Sequence, residues 1–182
     1  MNVIQTPIEG VFIIEPHVFT DERGYFFESY NKATFEAAGL HYDFVQDNQS
    51  KSSYGTVRGL HFQKGEHAQA KLVRVLEGSV LDVAVDLRRN SPTYGQYVEV
   101  ELSEQNKWMM LIPRGFAHGF SVLSKTAVFS YKCDNFYCKE AEGGIRFNDP
   151  TLNINWRIDK ENVLISEKDR SHPFFSEFET CF

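Results

Sequence analysis

The sequence has few cysteines and no long apolar run, and these absences exclude several classes of protein. Only three cysteines occur among 182 residues, at Cys133, Cys138 and Cys181. An odd number without dense spacing argues against a disulfide framework, and Cys133 and Cys138 lack the second pair that a zinc site needs. No segment approaches the roughly 18 apolar residues of a membrane span, and the N-terminal residues have no targeting pattern. We therefore expect a cytoplasmic protein without a membrane segment.

Basic residues are also too few for a general nucleic-acid binder. The 19 Lys and Arg against 25 Asp and Glu give a formal net charge of −6. Nucleic-acid-binding domains usually carry a basic surplus, so we expect no nucleic-acid partner. A small anionic ligand is still compatible with this charge balance, because a few clustered cations can hold it locally.

Helical patterns are scarce. One short helix is predicted over residues 31–39, where Asn31 can cap the start and Gly39 the end. Parallel α/β folds need helical crossovers between successive strands, and the sequence offers none. The rest of the chain has the pattern of short, closely spaced strands, which is typical of a sandwich or barrel. We therefore expect a mainly β fold in a single domain over residues 1–182.

The strand pattern is clearest in residues 80–87, where apolar residues alternate with Asp82, Ala84 and Asp86. Such alternation predicts that one face packs on a core and the other faces away from it. The segment 77–79, Glu-Gly-Ser, predicts a hairpin from the preceding strand. Further strands are predicted at residues 71–76, 97–102, 107–112, 119–123 and 126–132.

Two strand segments combine catalytic residue types with glycine or apolar neighbours. Arg58 and His61 flank Gly59, and on a regular strand these two side chains would face opposite sides. A bend at Gly59 would bring both to one pocket. Lys71 shares a strand face with Val73, and a lysine on an apolar face is costly unless it is paired or serves a site. The alternatives are a structural histidine and a lysine whose stem lies along the surface.

Two further segments place His118 and Tyr131 at candidate positions. His118 follows a turn shaped by Pro113 and Gly115 and begins a strand. Tyr131 lies on the same strand face as Phe129, where simple packing is the ordinary interpretation.

The sequence lacks most of the ligands of a cupin-type metal site. Many metal-binding cupins use Gly-x5-His-x-His-x4-Glu-x6-Gly and a Pro-x-Gly-x2-His turn. The turn is present and ends at His118. Aligning the first motif on Gly78 puts Lys71 at the Glu position and Lys64 and Glu66 at the His positions. Only one of four ligands survives, so we expect no bound metal.

Seven ordered motifs along nearly the whole chain resemble those of the dTDP-4-dehydrorhamnose 3,5-epimerase family. They cover residues 44–52, 57–61, 69–75, 81–95, 112–120, 144–150 and 164–169. The resemblance implies a cupin jelly roll, a homodimer, and neither a metal nor an organic cofactor. It also implies a dTDP-sugar substrate on the route to L-rhamnose in polysaccharide.

The resemblance implies a role for each matching residue. His61 matches the base, Asp169 the carboxylate that orients it, Tyr131 the general acid, and Lys71 the residue beside the substrate keto oxygen. Substrate and nucleotide contacts are implied for Arg23, Glu28, Gln46, Asn48, Arg58, His118, Glu142 and Lys168. The N-terminal segment with Arg23 and Glu28 is implied to reach into the partner's site.

The sequence also departs from the family pattern. Phe62 stands where Tyr is usual, Phe147 where Trp is frequent, and Arg157 where Pro is common. The tail after Asp169 is not diagnostic. None of the three departures is a reacting group, so the implied chemistry is unaffected.

The implied residue types suit inversion beside a ketone. A C4 ketone acidifies the hydrogens on C3 and C5, and an enolate that is reprotonated from the other face has an inverted centre. An imidazole with its ordinary pKa of about 6.5 suits the base, and a phenol with its ordinary pKa of about 10 can donate. A lysine ammonium can stabilise the charge on the oxygen. The resemblance implies that the substrate is dTDP-4-dehydro-6-deoxy-D-glucose and that the product is dTDP-4-dehydro-L-rhamnose.

Three alternatives remain at this stage. The first is a mono-epimerase that inverts only C3 or only C5 of a related sugar. The second is a metal-dependent cupin enzyme. The third is a sugar-nucleotide-binding module without catalysis, which the presence of His61, Lys71, Tyr131 and Asp169 together argues against.

Overall fold

A computed structural model describes all 182 residues and contains thirteen strands and two short helices. The strands are β1 (Asn2–Gln5), β2 (Phe12–Glu15), β3 (Phe19–Asp21), β4 (Gly24–Phe26), β5 (Gln46–Ser53), β6 (Val57–Gln63), β7 (Lys71–Glu77), β8 (Ser79–Asp86), β9 (Tyr97–Ser103), β10 (Met109–Ile112), β11 (Phe116–Val122), β12 (Thr126–Cys133) and β13 (Glu142–Gly144). The helices are α1 (Lys32–Ala37) and α2 (Glu167–Arg170). Neither helix has the length and apolar character that crossing a bilayer requires.

The strands form two main antiparallel sheets and one small hairpin. The first sheet has the order β1-β2-β10-β7-β12-β5, and the second has the order β13-β6-β11-β8-β9. Most neighbours in each sheet are distant in sequence, as in jelly-roll sandwiches, where the chain passes back and forth between sheets. Strands β3 and β4 pair only with each other. The predicted mainly β fold class is confirmed.

Three apolar clusters hold these layers together. The largest lies between the two sheets and includes Val75, Ala84 and Phe129. A second cluster joins the outer face of the β6-β11-β8 sheet to the C-terminal segment, and a third packs the segment around α1 on the other sheet. Both sheets are therefore covered on their outer faces, which leaves the interior between them as the place for a protected cavity.

Strand β8 corrects the expectation of a single buried face. Leu81, Val83 and Val85 pack under the C-terminal segment. On the other face Asp82 and Asp86 are fully buried, although they were expected to face away from the core. The prediction was wrong because β8 is a central strand between two covered faces, where even its polar side chains are enclosed.

The predicted hairpin at residues 77–79 is wrong. Strands β7 and β8 lie in different sheets, so this segment carries the chain from one sheet to the other. Gly78 has a φ of +78°, and a Cβ there would lie 2.1 Å from the carbonyl oxygen of Thr126. Its backbone N–H donates to the side chain of Glu104 at 3.0 Å. A glycine between two strands is compatible with a hairpin and with a connection between sheets. The two cases differ only in the strands with which each segment pairs.

Helix α1 is present where the sequence predicts it. The side chain of Asn31 accepts a hydrogen bond from the backbone N–H of Thr34. Gly39 follows the helix with a φ of +80°, a conformation that glycine adopts without strain. Phe35 points into the cluster on the first sheet. The other predicted strands are also present, with ends shifted by at most three residues.

Candidate active site

A cavity of about 300 Å³ lies between the two sheets. Strands β5, β6, β7, β11 and β12 contribute its walls. Its lining residues are Asn48, Gln49, Ser50, Arg58, His61, Lys71, His118, Phe120, Phe129 and Tyr131. Six of the twelve residues predicted for the site therefore meet here: Asn48, Arg58, His61, Lys71, His118 and Tyr131.

Strand register places Lys71 and Tyr131 on one wall of the cavity. On the paired strands β7 and β12, Lys71 lies opposite Cys133, and Tyr131 lies opposite Val73. Side chains two residues apart share a face, so all four point to the interior. The Lys71 Nζ atom is 5.9 Å from the centre of the Tyr131 ring. A cation and a phenol thus face the same space.

The predicted bend at Gly59 is confirmed. Arg58 and His61 both line the cavity, and the pairing of β6 with β11 shifts register between His118 and Phe120. Gly59 has a φ of +132°, and a Cβ there would lie 2.6 Å from the Cα atom of Gly119. A side chain at this position is excluded by both the backbone conformation and the neighbouring strand.

His61 is held by the carboxylate of Asp169. The His61 Nε2 atom lies 2.8 Å from Asp169 Oδ1, and the backbone N–H of Gly59 donates to Asp169 Oδ2 at 3.2 Å. Burial alone would raise the pKa of Asp169, but the hydrogen bonds from His61 and Gly59 and the charge of His61 hold it below its usual value. Because Nε2 is engaged, Nδ1 is the ring nitrogen available to a ligand.

Helix α2 presents this carboxylate. The side chain of Ser166 caps the helix by accepting a hydrogen bond from the backbone N–H of Asp169. Asp169 itself is 4% exposed, so little water competes for its oxygens.

Burial shifts the pKa values of Lys71 and Tyr131. Desolvation lowers the pKa of the Lys71 ammonium, partly offset by Cys133, Asp82 and Glu142. Desolvation raises the pKa of Tyr131, mainly because its phenolate would be poorly solvated. The Tyr131 phenol is therefore protonated at neutral pH and can donate a proton.

A second histidine–carboxylate pair lies deeper in the interior. The His118 Nε2 atom is 3.0 Å from Asp82 Oδ1, and both side chains are buried. Burial raises the pKa of Asp82 and lowers that of His118. The alternation in β8 assigns Asp82 to a face away from the core, so the sequence does not predict it as a site residue. The available signal is a carboxylate between Leu81 and Val83, within a strand that is otherwise mostly apolar.

Polar residues form a linked network beside the cavity. Glu142 accepts hydrogen bonds from Lys168 Nζ and from the hydroxyl of Tyr137. The Gln46 side chain donates to Asn48 Oδ1 at 3.1 Å and accepts from the backbone N–H of Tyr137 at 3.0 Å. The network joins four predicted contact residues through Tyr137, which was not predicted.

Arg23 and Glu28 do not line this cavity. Arg23 is on the β3–β4 hairpin, where its guanidinium pairs with Asp21. Glu28 accepts a hydrogen bond from Asn31 at the start of α1. Within one chain, the structure therefore leaves these two predicted residues apart from the other ten.

His172 is a neighbour of the site that was not among the predicted residues. Its ring centre is 5.8 Å from that of His61, and its Nε2 atom is 3.9 Å from Asp169 Oδ1. The tail was set aside as not diagnostic. A histidine three residues after Asp169 is the signal that was available, because such spacing places two side chains on one side of a helical turn.

Solved structures share this fold over nearly the whole chain. The crystal structure of dTDP-4-dehydrorhamnose 3,5-epimerase from Elizabethkingia anophelis is 60% identical, with a TM-score of 0.92 and 97% of each chain covered. The Legionella pneumophila enzyme in complex with dTDP-4-keto-L-rhamnose is 47% identical, with a TM-score of 0.94 over 98% of this chain and 94% of that chain. Fold and cavity together define a cupin-like epimerase.

Sequence comparison identifies the family. A profile of dTDP-4-dehydrorhamnose 3,5-epimerase matches residues 5–177. A curated dTDP-4-dehydrorhamnose 3,5-epimerase from Shigella flexneri is 55% identical over 170 residues, which is 93% of each chain. The chain belongs to the dTDP-4-dehydrorhamnose 3,5-epimerase family and is an isomerase of the epimerase class.

Proposed function

We propose that this chain inverts both C3 and C5 of dTDP-4-dehydro-6-deoxy-D-glucose and releases dTDP-4-dehydro-L-rhamnose. One observation carries the proposal: His61, Lys71 and Tyr131 line the same cavity, and His61 is hydrogen-bonded to Asp169. The cavity thus holds a candidate base, a cation and a candidate acid. The family of the chain and the product-type ligand of the Legionella enzyme support the same substrate class.

His61 is the proposed base. Its Nδ1 atom takes a proton from C3 or C5, and the imidazolium that forms is stabilised by Asp169 through Nε2–H. Asp169 acts through His61 and is therefore a positioning residue. The ionised state of Asp169 suits this role, because a carboxylate held below its usual pKa keeps its charge at neutral pH.

Lys71 is the proposed stabiliser of the enolate. Removing the proton moves negative charge onto O4, and the Lys71 ammonium lies in the cavity where little water screens it. One donor aimed at a developing oxyanion contributes about 3–4 kcal/mol. This cation takes the place that a metal has in other cupins, so the reaction needs neither metal nor organic cofactor.

Tyr131 is the proposed acid. Its raised pKa keeps the phenol protonated, so it can return a proton on the face opposite the base. His61 and Tyr131 belong to strands of different sheets, β6 and β12, which is the arrangement that two-sided proton transfer needs.

The remaining predicted residues are proposed to hold the nucleotide and sugar. Arg58 and Lys168 are cations beside His61 and can neutralise the diphosphate, Arg58 with paired hydrogen bonds. Amide, carboxylate and imidazole groups nearby can bind the hydroxyls of the sugar and the nucleobase of the nucleotide. These contact residues are Gln46, Asn48, His118 and Glu142.

A homodimer is proposed to complete the site. On the β3–β4 hairpin, Phe19, Tyr25 and Phe26 are 58%, 60% and 70% exposed, which is unusual for large apolar side chains. The side chain of Arg23 is 85% exposed on the same hairpin. We infer that this hairpin packs on a second copy and delivers Arg23 and Glu28 to the partner's cavity.

The testing experiment follows solvent exchange on the sugar. Purified protein is incubated with dTDP-4-dehydro-6-deoxy-D-glucose in deuterated water, and C3 and C5 are observed by NMR. Deuterium at both carbons with formation of the L-rhamnose product is expected. Exchange at one carbon only would establish the mono-epimerase alternative, and bound substrate without exchange would favour a binding module. The cytoplasmic location stays a prediction.

A further inference from the structure

Three potential metal ligands converge behind the proposed base. They are the Nε2 atoms of His61 and His172 and a carboxylate oxygen of Asp169, and all three lie within 4.8 Å of one another. His172 takes no part in the proposed reaction. Its Nε2 atom is buried and has no hydrogen-bond partner, which is uncommon for a polar atom away from water.

The spacing is close to that of a zinc centre. Zinc binds histidine nitrogen at about 2.0–2.1 Å, so two ligand atoms in a tetrahedral site are about 3.3 Å apart. Asp169 Oδ1 is 2.8 Å from His61 Nε2 and 3.9 Å from His172 Nε2, which brackets that value. Movements of less than about 1 Å would bring both histidine nitrogens to tetrahedral spacing from Asp169 Oδ1. The two histidine rings would have to approach each other by a somewhat larger distance. Water can fill the fourth position.

The surroundings hold the three groups in place. The ring of His172 lies against Gly144, where a Cβ would be only 2.4 Å from His172 Nε2. Arg146 donates to the His172 carbonyl oxygen at 3.1 Å, which fixes the backbone. Asp169 Oδ2 accepts from the Gly59 N–H, so Oδ1 remains directed at both rings. Such supporting contacts are what orient the ligands of natural metal sites.

The cluster is also accessible from outside. A cavity of about 460 Å³ lined by Asp169, His61 and Lys168 opens beside the cluster and offers an entry path.

We propose that His61, Asp169 and His172 form a site for a divalent transition metal ion, such as Zn²⁺, that inhibits the enzyme by capturing the base. The metal replaces the proton between His61 Nε2 and Asp169, and that proton leaves to solvent. His61 Nδ1 still faces the substrate, but a metal-bound imidazole is a weaker base. The proposed inhibition depends on His61 being the catalytic base, as proposed above. The binding of the metal ion does not depend on that role.

Direct binding is measured first, with Zn²⁺ by calorimetry and with Co²⁺ by visible absorption. Wild-type protein is expected to bind one ion, with the intense absorption of tetrahedral cobalt between about 500 and 700 nm. The variants His172→Gln and His172→Phe, the second of which keeps a ring against Gly144, should bind at least tenfold more weakly. The control His67→Gln removes a partly exposed histidine that lies near Glu66 and should bind like wild type.

Turnover is measured next, each variant against its own zinc-free rate. Zn²⁺ should lower kcat in wild type and His67→Gln with little change in KM, and a chelator should restore it. Both His172 variants should tolerate at least tenfold more Zn²⁺. Absence of wild-type binding, or equal binding in the His172 variants, would overturn the site. Binding without inhibition would overturn the captured-base role, and an inactive wild type that still binds Zn²⁺ would implicate the proposed function instead.

Discussion

At the scale of single residues, burial in the cavity shifts the pKa values of its titratable side chains. Lys71 and Tyr131 lie on one wall and are shifted in opposite directions, the ammonium towards neutrality and the phenol towards protonation. Both shifts have the same cause, because a poorly solvated site disfavours whichever form is charged. The chemistry therefore depends on where the fold puts these side chains, as well as on their types.

The first prediction concerns Tyr131. Tyr131→Phe removes the proposed acid but leaves the base, so deuterium exchange should continue while inversion slows by about 10²-fold or more. NMR in deuterated water measures exchange and product together. The control Tyr42→Phe removes a phenol from the cluster around α1, outside the cavity, and should have no effect. Unchanged product formation in Tyr131→Phe would remove Tyr131 as the acid.

The second prediction concerns Lys71. Lys71→Met should lower kcat by about 10²–10³-fold, because the enolate loses its aimed cation. Thermal stability should rise or stay level, because the lowered pKa of Lys71 means that its buried charge opposes folding. Calorimetry and turnover are measured on the same sample. A lower Tm together with lost activity would assign Lys71 a structural role.

Asp86 supplies the third prediction, on pH. Burial alone would raise its pKa, but hydrogen bonds from Arg88, Ser91 and Thr93 lower it to about 2. A carboxyl with a depressed folded pKa stabilises the protein above its unfolded pKa of about 3.9 and loses that contribution as pH falls towards 2. The ionised Asp86 carboxylate therefore adds about 2 kcal/mol to the free energy of unfolding near neutral pH.

Tm is therefore compared between wild type and Asp86→Asn across this range. The wild type should be the more stable protein at pH 6, and the difference should shrink between about pH 4 and pH 2. A difference that does not vary with pH would mean that packing, rather than the charge of Asp86, supplies the stability.

At the scale of elements, local signals predicted strands well and their partners poorly. Alternation located β9 and β12 within one residue at each end, because the period of two is set by the strand itself. The segment 77–79 was misassigned because the turn residues carry no information about which sheet receives the next strand. A bend at Gly59 was one way for Arg58 and His61 to reach the same pocket, and both side chains line the cavity.

The fourth prediction tests that bend. Gly59→Ala combines a left-handed backbone with a Cβ 2.6 Å from the Gly119 backbone. It should lower the free energy of unfolding by at least about 2 kcal/mol and abolish turnover. The matched control Gly39→Ala has a φ of +80° but no atom within 4 Å of its Cβ, so only the backbone strain of about 1 kcal/mol applies. Equal losses in both variants would exclude the strand contact as the cause.

At the scale of the whole molecule, we propose that a second copy of the chain completes the site. Ten of the twelve predicted site residues lie in or beside the cavity region, whereas Arg23 and Glu28 lie elsewhere. A homodimer that exchanges the β3–β4 hairpin accounts for both this separation and the exposed aromatic residues. The single domain over residues 1–182 stays a prediction.

The fifth prediction is complementation between inactive variants. Arg23→Ala and His61→Ala homodimers should each have little activity. In a mixed dimer, one cavity combines an intact His61 with an intact Arg23 from the partner, so about half of the wild-type activity per mixed dimer should return. Light scattering measures whether the chain forms a dimer, and separately tagged chains isolate the mixed species. No recovery in the mixed dimer would mean that each hairpin serves its own chain.

The residue types, the strand periodicity and the family motifs can be read from the amino-acid sequence alone. Those suffice for the fold class and for naming His61, Lys71 and Tyr131 as candidates, because period-two alternation and motif spacing are local properties of the chain. The contact between Asp82 and His118, and the position of His172 beside His61 and Asp169, are visible only in the folded chain. Both depend on contacts between strands or segments far apart in sequence, and such contacts form only when the two sheets and the C-terminal segment close around a shared interior.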